Sequence, residues 1–93
     1  MIIGSCVLHL SAGWVNSLKE KRSVVKSIIE KVKHRYNVSI AEISDQDAHK
    51  AIVLGFCCAS NERRHAESTM TNVLNFIENN TEAVVTGVEM EIL

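Results

Sequence analysis

Proline is absent from the 93-residue sequence, and glycine occurs only four times. No stretch is composed like a flexible or stiff interdomain spacer, which argues for one domain over residues 1–93. The aromatic set is as thin: Trp14, Tyr36, Phe56 and Phe76. Cys6, Cys57 and Cys58 are an odd number with no Cys-x-x-Cys spacing, so the chain carries neither a disulfide framework nor a thiolate metal motif. The three thiols read as small buried apolar groups in a reducing compartment. His9, His34, His49 and His65 stand singly, with no His-x-x-x-His and no carboxylate–histidine cluster. No metal and no cofactor are therefore expected. The longest apolar run, residues 51–59, falls far short of the roughly 20 residues of a membrane span. Residues 1–12 are apolar but have no basic residues ahead of them, unlike a secretory leader. A cytoplasmic protein without membrane contact is the expectation. Charge of one sign is not in excess either: 10 Lys+Arg face 11 Asp+Glu, which excludes a globally basic nucleic-acid coat.

What the chain does have is hydrophobic patterning. Residues 2–10 alternate as a strand, with Ile2, Cys6, Leu8 and Leu10 on one parity and Ile3, Val7 and His9 on the other. Ser17 followed by Glu20 is a capping-box signature for a helix. Leu18, Val25, Ile28, Ile29, Val32 and Tyr36 recur at helical spacing after it, and Asn37 is suited to a left-handed terminator. Residues 38–44 form a short β-rich segment, Asp45-Gln46-Asp47 a turn, and residues 49–59 a second strand-like run. A second helix is expected over residues 60–80, capped by Ser60 or Asn61, with Ala66, Met70, Val73, Leu74 and Ile77 as its apolar stripe. Residues 83–93 alternate again.

The order βαββαβ predicts an α+β, ferredoxin-like fold: a four-stranded antiparallel sheet with both helices on one face. The first and third strands should be central, and are expected here as a parallel pair. If their even-numbered positions face the helices, the opposite face collects Ile3, Val7, Ala51, Val53, Cys57 and Val85. Several hundred Å² of such surface at ~25 cal/mol per Å² is worth several kcal/mol to whatever covers it. A homodimer packed through this face is the expectation.

Charge is unevenly spread. Residues 1–37 carry seven basic and two acidic side chains, whereas residues 38–93 carry three basic and nine acidic ones. On a helical wheel Lys19, Arg22, Lys26 and Lys33 share a strip beside the apolar stripe, where they could track phosphates. The alternative is an ordinary solvated helix face. Base stacking from the central strands is not expected, because none of the aromatics falls on the open face. Acylphosphatase chemistry on this topology needs an arginine and a phosphate-cradling loop after the first strand, and residues 11–16 have neither.

The string Ser17-Leu18-Lys19-Glu20-Lys21-Arg22, with Asn37-Val38-Ser39, Asp45-Gln46-Asp47, Leu54-Gly55 and Ala59-Ser60-Asn61, resembles the small bacterial YlxP-like family of unknown function. Phe56-Cys57-Cys58 and Ala12-Gly13-Trp14 depart from its usual residues. The resemblance implies a ferredoxin-like fold, a cytoplasmic bacterial setting and genes beside translation-initiation and ribosome-maturation factors; it brings no catalytic residues. Together these point to a non-enzymatic dimeric module that contacts ribosomal RNA or a translation-linked protein through its basic first helix. Two other readings stay open. One is a small-molecule sensor or minor enzyme with a cleft at the dimer edge lined by Trp14 and His9; the other is a structural subunit of an assembly.

Overall fold

The computed structural model describes residues 1–93. It folds them as β1 (Ile2–Ser11), α1 (Leu18–Arg35), β2 (Ser39–Ser44), β3 (Ala51–Ser60), α2 (Arg63–Asn79) and β4 (Val84–Ile92). The sheet order is β2-β3-β1-β4, and every neighbouring pair is antiparallel. This is the ferredoxin-like α+β arrangement, but its central pair is antiparallel rather than parallel. Each crossover returns the chain parallel to the strand it left, and a strand of the other unit is then inserted between the two. So β1 and β2 run the same way with β3 between them, and β3 and β4 with β1 between them.

Even-numbered positions of β1 and β3 do face the helices. Cys6, Leu8, Leu10, Ile52, Leu54 and Phe56 form one core with Val25, Ile28 and Val32 of α1 and Met70, Val73 and Ile77 of α2. Gly4 brings α2 down onto β1: a Cβ there would stand 2.9 Å from Met70 Cγ and 3.4 Å from the Ala66 carbonyl oxygen.

The helix ends depart from expectation in two places. Ser17 caps α1, its Oγ accepting from the Glu20 N–H at 3.1 Å. The C-cap, however, is Tyr36 in an extended conformation, and Asn37 is not left-handed; the only non-glycine residue with positive φ is Asp45, at 54°. The chain turns from α1 back into β2 through an extended Tyr36, without a left-handed residue. At α2 the N-cap is Glu62, with no side-chain bond. Ser60 instead ends β3 and turns the chain, its Oγ accepting from the Glu62 N–H.

Both outer strands carry a bulge. On β2 the partner of β3 jumps from Glu42 to Ser44, leaving Ile43 as the extra residue. On β4 the partner of β1 jumps from Gly87 to Val85, leaving Thr86 unmatched. The second bulge overturns one expectation. Val85 stands opposite Leu10 and packs against the core, so it is not on the open face; Val84, opposite Ser11, is.

One buried group has no counterpart in the apolar pattern. Lys21, in the first turn of α1, is 0% exposed. Its Nζ donates to the Asp45 carbonyl and lies 2.8 Å from Glu42 Oε2. Glu42 Oε2 has no other polar partner, so the ammonium is what compensates its charge. The three groups tie the start of α1 to the β2–β3 turn. Buried ions are costly to desolvate, and removing one partner leaves the other uncompensated.

Glu42→Ala is therefore expected to lower stability in urea unfolding by about 3–5 kcal/mol, with Lys21→Met plus Glu42→Leu recovering most of it. Gly4→Val should cost about 1–3 kcal/mol through overpacking against Met70. Gly13→Ala, whose new Cβ meets nothing within 4 Å, should stay within about 0.5 kcal/mol of the parent in the same assay.

Candidate functional site

Of the seven basic side chains in residues 1–37, three are engaged within the fold. Lys21 is buried, Lys31 Nζ donates to the Asn80 carbonyl at 3.4 Å, and the Arg35 guanidinium stands 5.2 Å from the Phe76 ring centre. That ring packs edge-on against Tyr36 at 5.5 Å, closing the gap between the two helices. The four that remain are Lys19, Arg22, Lys26 and Lys33, all exposed. With 3.6 residues per turn they fall within about 60° of helix arc, roughly 120° around from the buried stripe. Only Lys26 has a carboxylate nearby, Glu30 Oε1 at 3.9 Å, an exposed i,i+4 pair worth a few tenths of a kcal/mol. The predicted strip therefore exists as an outward row of cations with little internal compensation.

Lys33 sits at the end of this row and shares an open groove of about 630 Å³ with Met1, Ile3, Val38, Cys57 and Ala59. The groove lies where α1 ends and the uncovered sheet face begins. On that face the predicted Ile3, Val7, Ala51, Val53 and Cys57 do lie together, on odd positions of the paired central strands. Val85 is replaced by Val84, and Ile43 joins the set over Gly55. Val53 is already 5% exposed, flanked by His9 and Ser44, so the free apolar area comes mostly from Ile3, Val7, Cys57 and Ile43, with Val84 exposed at the margin. Towards β4 the face turns acidic with Glu89 and Glu91, and His9 Nε2 meets Glu89 Oε2 at 3.0 Å.

Trp14 and His9 are not brought together. Trp14 is exposed at the mouth of a cleft of about 490 Å³ between α1 and the end of α2, with Ser27, Lys31, Asn79 and Thr81 among the lining groups. His9 lies on the sheet face instead. No serine, threonine or cysteine in the chain is hydrogen-bonded to a histidine or carboxylate side chain. No three His, Cys, Asp or Glu side chains converge as metal ligands would. The cysteines are unpaired, and they are not uniformly buried: Cys6 is, with burial pushing its thiol up to about 11, but Cys57 is exposed.

Reading the sequence alone misses the Lys21–Glu42–Asp45 cluster. Its signal was available: Lys21, Val25, Ile28 and Val32 share one wheel stripe, and Glu42 has the same inward parity as Ile40 on β2.

With this geometry in view, the comparisons with known proteins agree on one family. The chain is 41% identical over 73 residues to the uncharacterized protein YlxP of Bacillus subtilis (strain 168), covering 78% of this chain and 75% of that protein. The family model described as "Protein of unknown function (DUF503)" matches residues 3–90. On that match, the chain belongs to the DUF503 family.

Proposed function

We propose that this protein is a non-enzymatic, dimeric binding module that holds RNA by its phosphates, with ribosomal RNA the target that the gene setting implied by its family favours. The observation that carries this reading is the row Lys19, Arg22, Lys26 and Lys33. Four cations lie on one outward strip while every other lysine and arginine of α1 is buried, stacked or bonded. Such a strip positions a backbone without reading bases. The lack of an aromatic on the open face supports the same division. The dimer is supported by the apolar patch around Ile3, Val7, Cys57 and Ile43, and Lys33 lies beside it, so two joined copies would set two strips at the ends of a shared surface.

A small-molecule sensor is the second reading, supported by the cleft beside Trp14. A saturable rise in melting temperature with a metabolite, lost in Trp14→Ala, would favour it over RNA binding.

Filter binding to ribosomal RNA fragments tests the first reading. Neutralising four phosphates predicts weakening of about 50–150-fold between 50 and 200 mM salt. Lys19→Glu plus Lys26→Glu should abolish binding, while Arg64→Glu on α2 leaves it in place; no binding at low salt overturns the proposal. In analytical ultracentrifugation the protein should sediment as a dimer at micromolar concentration. Cys57→Glu, on an exposed position, should convert it to a folded monomer, and a monomeric parent removes the dimer.

A further inference from the structure

β4 forms one border of the sheet and pairs only with β1. Ile3 and Leu93 exchange both backbone hydrogen bonds, at 2.9 and 2.8 Å. Antiparallel ladders alternate between bonded and non-bonded pairs. Glu91, Glu89 and Gly87, opposite Ser5, Val7 and His9, therefore turn their main chain towards β1. Met90, Val88 and Ile92 turn their N–H and C=O groups away from it, towards solvent. The border is thus a run of free donors and acceptors at every second residue.

The side chains of that border divide by face. Val88, Met90 and Ile92 stand opposite Leu8, Cys6 and Gly4, on the helix side. Yet Val88 remains 41% exposed and Met90 37%. The cause is the placement of α2, which Gly4 admits directly over β1, one strand inward from the border. Leu74 of α2 lies part-buried beside the core. On the open face the same strand shows Glu89 and Glu91, both exposed. Free main chain, an apolar ledge on one side and carboxylates on the other recur with the two-residue period of an extended chain.

A second copy of β4 fits this border badly. Antiparallel self-pairing centred on Met90 sets Glu89 of one copy opposite Glu91 of the other. Centring on Val88 makes the two Glu89 side chains diagonal neighbours. Like charges at those spacings are destabilising. The border is closed to itself and open to the opposite sign.

We propose that the β4 border docks an extended segment of another protein in which apolar and basic residues alternate. The segment adds as a fifth strand. Its main chain bonds to Val88, Met90 and Ile92, its apolar side chains cover Val88 and Met90, and its lysines or arginines meet Glu89 and Glu91. Strand addition of this kind draws affinity from main-chain bonds and selectivity from alternate side chains. The site is separate from the cationic strip of α1 and does not depend on RNA binding.

Fluorescence anisotropy with labelled nine-residue peptides tests it on the full chain. A peptide alternating valine and lysine should bind about tenfold more tightly than one alternating valine and glutamate. Glu89→Lys plus Glu91→Lys, at exposed positions, should reverse that order, while Lys19→Glu plus Lys26→Glu leaves it unchanged. The bound basic peptide should slow hydrogen exchange at the amides of Val88, Met90 and Ile92. A version N-methylated at alternate residues should not bind. Equal binding of a composition-matched peptide with its lysines in one block, retention by the N-methylated version, unchanged exchange at those amides, or no binding of the alternating basic peptide would each overturn the proposal.

Discussion

The ammonium of Lys21 is the constraint on which the placement of α1 depends. A lysine on the apolar stripe forces the first turn of the helix to sit where Glu42 and the Asp45 carbonyl can receive it. Any rotation or slide of α1 would strand that charge in the core, at a cost of several kcal/mol. The left-handed backbone of Asp45 is part of the same device, since it places in a tight turn the carbonyl that Lys21 reaches. Once Lys21 is fixed inward, Lys19 and Arg22 on either side of it in sequence are fixed outward. The cationic strip follows from the buried charge.

Three surfaces are segregated as a result. Cations occupy the outer crest of α1, apolar groups the middle of the uncovered sheet face, and carboxylates its β4 side. They use different elements and meet only at their margins, at Lys33 beside the groove and at His9 beside Glu89. Each outer strand carries a bulge, a common way for sheets to limit pairing with further chains. On β4 the bulge sits near the start of the strand, so the stretch from Gly87 to Ile92 keeps a regular border.

Much of this was legible in the sequence because it rests on short-range periodicity. Alternation placed β1 and β3 with the correct inward parity, Ser17 marked the start of α1, and the Ala66–Met70–Val73–Ile77 spacing gave the buried face of α2. The illegible parts are those set by tertiary geometry. Val85 was placed on the wrong face because a bulge shifts parity by one residue, and nothing in Val84-Val85-Thr86-Gly87 marks which residue will be unmatched. Asn37 has the composition of a terminator, but α1 ends on an extended Tyr36 and the chain turns into β2 without a left-handed residue. Lys21 entered only the count of basic residues, because the apolar stripe was built from hydrophobic side chains and a lysine at its spacing was not admitted to it. The strip itself was readable, since four cations at helical spacing need no partner to be placed.

The unmatched Thr86 also gives β4 two halves in different phase. Ahead of it Val85 points inward, and beyond it Val88, Met90 and Ile92 do, so the inward set is spaced by three residues once and by two thereafter. A regular ladder that paired Thr86 as well would have to sacrifice one half. Either Val85 leaves the core at the top of the sheet, or Glu89 and Glu91 swing beneath α2 and the oily residues turn to water. The threonine thus acts as a phase joint, and the polarity of a whole sheet margin hangs on a single-residue insertion.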